Sequence, residues 1–166
     1  MTPPDYQQRI LVQAAGDPAF SPDGRWIAYS STDSGRQDVY VQPYPGPGER
    51  VPVSPGGGRA PVWRRDGAEL FYTTPDGYTT PDKPGNTMTM MAVSVSAMAD
   101  RLVIGPPRSL FGGRFLPAGF LQNYDVTADG QRFLMVRALD PTPEPQTELV
   151  LVQNWIEELK ARVPNR

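Results

Sequence analysis

The sequence predicts an all-β fold built from a repeated antiparallel unit, and three observations support this. Three stretches align without gaps around an Asp-Gly pair: FSPDGRWIAYSS (20–31), WRRDGAELFYTT (63–74) and VTADGQRFLMVR (126–137). The 166 residues include 20 Pro and 16 Gly, which interrupt helices often. Alternating apolar residues flank each Asp-Gly pair, as in half-buried strands.

The Asp-Gly pairs are predicted to be tight turns between two strands. Gly accepts the positive φ that such turns require, and Asp can bond its own backbone nearby. We therefore assign a structural role in turns to six residues: Asp23, Gly24, Asp66, Gly67, Asp129 and Gly130. The turns are 43 and 63 residues apart, and a Pro/Gly/Thr-rich insertion at 75–87 with a longer stretch at 105–119 explains the larger interval.

Each unit is predicted to hold three strands in the same order. The first strands precede the turns and cover 17–21, 60–64 and 122–127. The second strands follow the turns and cover 26–30, 69–73 and 132–137. After a variable loop come the third strands, at 38–44, 89–95 and 147–153.

A fourth strand is predicted after the first and second units, at 49–54 and 107–112. No such strand follows the third unit, but the chain opens with a segment of the same kind at 8–20. The missing outer strand is therefore expected at the N-terminus. Four-stranded units phased in this way are how β-propellers close their ring, so residues 1–153 are predicted to form three propeller blades.

A single helix is predicted at the C-terminus, at 154–163. Asn154 can cap it, Glu157 is the capping-box partner and Pro164 ends it. Its apolar stripe consists of Trp155, Ile156, Leu159 and Val163. A helix of this length is marginal alone in water, so it should dock on the propeller body as a cover for the last blade. The alternative is a contact with a partner or a second copy.

The repeat resembles that of the TolB-type, WD-like propellers of bacteria. Their motif is an aromatic residue, Ser-Pro-Asp-Gly-Arg or Lys, then an apolar pair with Ala and an aromatic. FSPDGRWIAYSS matches it almost throughout, VWRRDGAELFY is a degenerate copy and VTADGQRFLMV a weaker one. The tail ELVLVQNWIEELKARV is similar, more loosely, to the end of the extracytoplasmic propeller sensor of some bacterial eukaryote-like serine/threonine kinases. The resemblance implies a six-bladed ring and an extracytoplasmic or periplasmic parent protein.

Three blades fall short of the 4 to 8 blades typical of propellers, so further blades are needed to close a ring. Two copies would supply six. We therefore expect a homodimer, a head-to-tail C2 ring in which each N-terminal strand completes the last blade of its neighbour. The alternative is a piece of a longer propeller, whose isolated half-ring would expose apolar blade faces. Both hold together if such a piece dimerises.

Composition excludes several kinds of chemistry. The chain has no Cys and no His, which excludes disulfides, thiolate chemistry, His-based general base catalysis and the usual zinc and haem ligand sets. It has no long apolar run, no signal peptide pattern and no basic block. We therefore expect a soluble protein with no membrane insertion, no nucleic-acid partner, no metal and no cofactor.

A ligand is expected at the pore mouth, where the inner strands start. The candidate ligand-binding residues are Asp17, Arg59, Arg64, Gln122 and Asn123. Arg59 and Arg64 could receive an anionic peptide group, and Asn123 could bond a peptide backbone. The alternative is that these residues are only the polar ends of strands.

The sequence favours a non-catalytic module that binds a protein, peptide or other ligand, as a scaffold or as the sensor part of a larger bacterial signalling protein. An enzyme is not expected. One alternative is a carboxylate-dependent hydrolase, which would need two carboxylates about 5 to 10 Å apart. Another is the propeller part of a propeller-gated peptidase whose catalytic domain lies elsewhere, since no G-x-S-x-G motif is present.

Overall fold

A computed structural model describes residues 10–75, 87–98, 101–115 and 123–137. Within these ranges the protein is all-β, with antiparallel strands in three sheets and no helix, which confirms the predicted class. The predicted helix at 154–163 and the predicted strand at 147–153 lie outside the described residues. No helix long and apolar enough to cross a membrane occurs in the ranges given above.

The first sheet has four strands that pair in chain order. They are β1 (Ala15–Phe20), β2 (Trp26–Ser31), β3 (Asp38–Pro43) and β4 (Val51–Pro52). Each pairs antiparallel with the next. The last strand is shorter than the predicted 49–54, because beyond Pro52 the N–H of Val39 donates to the side-chain oxygen of Ser54 instead of to a main-chain oxygen.

The second sheet has five strands. They are β5 (Arg59–Trp63), β6 (Glu69–Pro75), β7 (Thr87–Met98), β8 (Arg101–Ile104) and β9 (Arg108–Arg114). The long β7 pairs with β6, and it also pairs with β9 near its start and with β8 near its end. The sequence analysis predicted β9 but missed β8, which forms a hairpin with the end of β7.

The third sheet, as far as it is described, is one antiparallel pair. Its strands are β10 (Tyr124–Val126) and β11 (Phe133–Met135), both shorter than predicted.

The three sheets pack against one another in chain order. Buried side chains from two sheets form the first core: Trp26, Ala28, Val39 and Val41 from the first sheet with Val53 just after it, and Trp63, Leu70, Tyr72, Val93, Val95 and Leu102 from the second. A second core joins the second and third sheets and includes Ala60, Phe71, Met90, Ala92, Tyr124, Val126, Phe133 and Met135. The second sheet is therefore covered on both faces.

This packing repeats with the sequence. Leu70 and Tyr72 lie four and six residues after the Asp of their turn, and they pack on the first sheet. Phe133 and Met135 lie four and six residues after the Asp of the third turn, and they pack on the second sheet. The rings of Phe133 and Phe71 meet edge-on with their centroids 5.1 Å apart. Each sheet thus presents the same face to the sheet before it.

Residues 10–14 precede β1 and belong to no strand. Val12 packs against Ile27, Tyr29 and Tyr40, on the face of the first sheet that points away from the second sheet. The N-terminal strand that is expected to complete a partner's last blade stays a prediction.

Candidate functional site

The first strands of the first and second sheets begin with the same irregular backbone. Asp17 and Ala60 occupy equal positions in the repeat, and each has φ of 52°. A positive φ is uncommon outside Gly, although Asp tolerates it better than most residues. The strand register shifts at both places, between Gly16 and Ala19 and between Arg59 and Val62. Such bulges take peptide groups out of the ladder, which leaves them for other partners.

Asp17 ties the first sheet to the second. Its Oδ2 accepts hydrogen bonds from Ser30 Oγ at 2.7 Å, within its own sheet, and from the main-chain N–H of Ala60 at 3.2 Å. Trp63 adds a second link between these sheets, because its indole N–H donates to the main-chain oxygen of Ala19 at 3.1 Å.

Tyr124 ties the third sheet to the second. Its hydroxyl donates to the main-chain oxygen of Ala60 at 2.5 Å, and the oxygen of Phe71 lies 3.4 Å away. Burial raises the pKa of the Tyr124 hydroxyl, and the charge of Asp17 raises it further. The hydroxyl therefore stays protonated and keeps its role as donor. The peptide groups on both sides of Ala60 are held, one by each neighbouring sheet.

The structure brings together the chain segments that carry three of the five predicted ligand-binding residues, Asp17, Arg59 and Asn123. Asp17 bonds the N–H of Ala60, which follows Arg59 in the chain, and Tyr124, which follows Asn123, bonds the oxygen of Ala60. Gln122 lies outside the described residues.

Arg64 lies elsewhere, after the last residue of β5 and at the opposite end of that strand from Arg59. Its guanidinium donates to Asp66 at 2.7 Å and to Glu69 at 2.6 Å. Glu69 also accepts from Arg108 at 2.5 Å. Hydrogen bonding from Arg64 lowers the pKa of Asp66 to about 2. Two carboxylates therefore balance the charge of Arg64, so it is a poor receptor for an anionic peptide group.

Sequence reasoning missed Tyr124, the residue that completes this junction. A signal was present, because the equal positions of the first and second repeats hold Pro18 and Pro61. Proline offers neither a hydroxyl nor an N–H. The third repeat therefore has a hydrogen-bond donor, the hydroxyl of Tyr124, where the other two repeats have a proline ring.

The three Asp-Gly pairs lie in turns that share the same hydrogen bonds. In each turn the Gly N–H donates at 2.8 to 2.9 Å to the main-chain oxygen three residues earlier: Gly24 to Ser21, Gly67 to Arg64 and Gly130 to Thr127. The three Gly φ angles are 69°, 75° and 72°. Each Asp accepts the N–H two residues later, on Arg25, Ala68 or Gln131. These bonds give all six residues a local structural role.

Two of these Asp side chains line one cleft between the first and second sheets. Asp23 and Asp66 lie around a space of about 440 Å³ whose wall includes Trp26 and Trp63. A hydrogen bond from Ser21 lowers the pKa of Asp23, and Arg64 lowers that of Asp66. Both carboxyls are therefore ionised near neutral pH. A glycosidase-like pair needs one carboxyl with a raised pKa as the general acid, so this pair is unsuited to that chemistry.

A larger cleft of about 800 Å³ lies beside Trp26, between the first sheet and β8 of the second sheet. Its charged lining residues are Arg25, Glu49, Arg50 and Arg101, and its wall includes Tyr44, Pro47 and Leu102. Arg50 donates to Asp33 at 2.6 Å and lies over the ring of Tyr40, 4.5 Å from its centroid. Because Asp33 already pairs with Arg50, Arg25 and Arg101 against Glu49 leave one net positive charge in the lining, which suits an anionic group.

The sequence gives little warning of the larger cleft. Arg25 follows the first turn, Arg50 precedes β4 and Arg101 begins β8, so the three cations come from separate segments of two sheets. Across the described parts of the chain, no group of three or more Asp and Glu side chains could hold a metal ion.

No family model matches the chain, and no curated protein matches it. Among solved structures, the chain is similar to one described as "The structure of putative TolB from Agrobacterium tumefaciens". The two share 20% sequence identity with a TM-score of 0.45, over 59% of this chain and 33% of that chain. The chain therefore spans about a third of the length of that protein.

Proposed function

We propose that this chain is a set of blades of a TolB-type β-propeller and acts as a non-catalytic module that binds a protein or peptide. The observation that carries the propeller part of the proposal is that Asp17 and Tyr124 each bind a neighbouring sheet. Both hold the peptide groups around Ala60, so the polar groups at the strand starts join sheets. The repeated face-to-face packing of the sheets supports the propeller architecture, since blades pack in this way around an axis.

The binding surface that we propose is the cleft lined by Arg25, Arg50 and Arg101, and its ligand is an acidic peptide. Guanidinium groups donate paired hydrogen bonds to carboxylates, which gives affinity and orientation together. Tyr44 and Pro47 add apolar wall for the stems of the peptide side chains. The cleft lies between two sheets, where ligand sites are common because several segments converge.

This proposal is tested by fluorescence anisotropy with a labelled glutamate-rich peptide and with the same peptide carrying glutamine in place of glutamate. We expect the glutamate peptide alone to bind, with an affinity that falls as salt is added. Arg101→Gln should weaken binding about tenfold to a hundredfold, since a hydrogen bond to a charged group contributes about 1.5–3 kcal/mol.

The matched control is Arg132→Gln, which removes the same charge from the turn of the third sheet, away from the cleft. It should bind the peptide like the unmodified chain. Equal binding of the two peptides, or equal weakening by the two variants, would show that the cleft is not an acidic-peptide site.

The proposal includes a ring of two copies, arranged head to tail, in which each N-terminal strand completes the third sheet of its neighbour. It is supported by the outer faces of the first and third sheets, which carry exposed apolar side chains at Phe20 and Leu134. The other source of the missing blades is a longer chain, such as the sensor part of a bacterial signalling protein. An extracytoplasmic location belongs to the proposal through the resemblance alone.

The carboxylate-dependent hydrolase is disfavoured by the electrostatics of Asp23 and Asp66. Both pKa values are lowered, whereas acid catalysis near neutral pH needs one of them raised.

A further inference from the structure

The first sheet packs on the second and the second on the third, and these two joints follow one rule. The residue three positions before the turn Asp faces the preceding sheet, as Trp63 does with 8% of its side chain exposed. The residue five positions after the turn Asp faces the following sheet, as Phe71 does with no exposure. Position in the repeat therefore predicts which side chains a neighbouring sheet will cover.

The rule leaves two faces uncovered by another sheet in the described residues. Phe20 occupies the position of Trp63 in the first sheet, yet it is 57% exposed. Leu134 occupies the position of Phe71 in the third sheet, yet it is 73% exposed, and Val136 beside it is 46% exposed. Phe20 packs edge-on against Tyr44, whose ring centroid is 5.0 Å away. Trp63 and Phe71, which hold the same repeat positions as Phe20 and Leu134, are buried in the joints within the chain.

We propose that these two faces are the halves of one joint, in which Leu134 and Val136 of one copy dock on the Phe20 face of a second copy. This inference rests on the proposed ring and assigns its contact. A second copy is the occupant that the packing favours. Leu134 on the third sheet of one copy has the repeat position of Phe71, which the second sheet buries against the third sheet, so it can meet the first sheet of the other copy in the same way. A head-to-tail contact of this kind closes when two copies form it twice.

The joint between copies should be weaker than the joints within the chain. Inside the chain, the indole N–H of Trp63 donates across the sheets to the oxygen of Ala19. Phe20 stands at the same repeat position and has no such donor. The joint would therefore depend on apolar burial. Dimers should dissociate on dilution under conditions in which the single chain stays folded.

Docking also requires a movement of the N-terminal segment. Val12 packs on Ile27, Tyr29 and Tyr40, which belong to the Phe20 face. The same segment is the one expected to complete the third sheet of the partner. One displacement would thus uncover the docking face and supply the missing strand, which links ring closure to exchange of this segment.

The test uses two single variants of the full chain, Phe20→Arg and Leu134→Glu, with mass measured by light scattering. Each variant alone should be monomeric at a concentration where the unmodified chain is dimeric, because each places a charge in both joints of the ring. An equimolar mixture should recover the dimer, since one joint is then unmodified and the other pairs the two new charges. Recovery also shows that both variants are folded. Val103→Glu, an exposed apolar residue on β8 away from these faces, is the matched control and should stay dimeric.

The outcomes separate this inference from the ring itself. Dimeric single variants, or monomeric ones that a mixture fails to rescue, overturn the Phe20–Leu134 contact while the ring stands. An unmodified chain that is monomeric across the whole concentration range overturns both.

Discussion

The hydroxyl of Tyr124 donates a hydrogen bond to the main-chain oxygen of Ala60, 64 residues earlier in the chain, at 2.5 Å. The peptide N–H of the same Ala60 donates to Asp17, 43 residues earlier still. Because Tyr124, Ala60 and Asp17 belong to successive sheets, this junction links all three where their first strands begin. The candidate residues Arg59 and Asn123 are sequence neighbours of this junction, so its stability determines their placement.

Tyr124→Phe should destabilise the fold by about 1–3 kcal/mol, because it leaves the buried oxygen of Ala60 without its donor. The ring itself is retained, so packing changes little. Chemical denaturation followed by tryptophan fluorescence measures the free energy of unfolding. Tyr44→Phe removes the same hydroxyl from an exposed ring and should change this free energy by less than about 0.5 kcal/mol. Equal effects of the two variants would contradict the role given to Tyr124.

Asp17→Ala and Asp17→Asn should differ in stability. Alanine removes the acceptor for Ser30 and Ala60 and is strained at the positive φ of this position, so a loss of about 2–4 kcal/mol is expected. Asparagine tolerates that φ and offers an oxygen to the same N–H, so its loss should be less than half as large. The measurement is again denaturant unfolding. Equal losses would mean that the carboxylate charge, and not its geometry, holds the junction.

Asp66 should make stability fall at acid pH. Its pKa in the folded chain is about 2, below the ordinary 3.8, mainly because Arg64 donates to it. A carboxyl whose folded pKa is depressed stabilises the fold above its unfolded pKa, and this contribution is lost as pH falls through the folded value. Asp66→Asn should therefore lower Tm at neutral pH, and the difference from the unmodified chain should shrink between about pH 4 and pH 2.

The control for the acid titration is Glu49→Gln, which also removes one carboxylate. The side chain of Glu49 makes no ion pair among the described residues, so Glu49→Gln removes one carboxylate without breaking such a pair. A constant difference for Asp66→Asn from pH 6 to pH 2 would contradict the pairing with Arg64.

Gly24→Ala and Gly56→Ala isolate the backbone requirement of the first turn. Neither position has an atom within 4 Å of an added Cβ, but only Gly24 has a positive φ, of 69°. Gly24→Ala should cost about 1–2 kcal/mol, since an L side chain is strained there. Gly56→Ala should be neutral or stabilising by up to about 1 kcal/mol, through the unfolded chain. Thermal unfolding of both variants measures the contrast, and equal losses would count against the predicted turn geometry.

Local signals predicted much of the fold. The alternating runs around Asp-Gly located β2, β3, β5 and β6 to within two residues, because apolar alternation and turn chemistry act over a few neighbouring residues. The strand β8 was not predicted because it pairs with the last residues of β7, beyond the predicted end of that strand, and no turn signal near Arg101 indicates where β7 ends. The shortness of β10 and β11 was also unforeseen.

The site was less predictable than the fold. The repeat placed Asp17, Arg59 and Asn123 at strand starts, and the structure brings their segments together. Arg64 lies apart from them because Asp66 and Glu69 hold its guanidinium at the turn. The arginine cleft depends on segments that only the packing of two sheets brings together, so no local pattern reveals it.

The mass of the chain in solution shows directly whether a second copy completes these sheets. Light scattering across a dilution series should give a particle of two chains of 18.3 kDa each that dissociates on dilution. A monodisperse single chain at every concentration would contradict the account, and would mean that the exposed faces at Phe20 and Leu134 belong to no joint between copies.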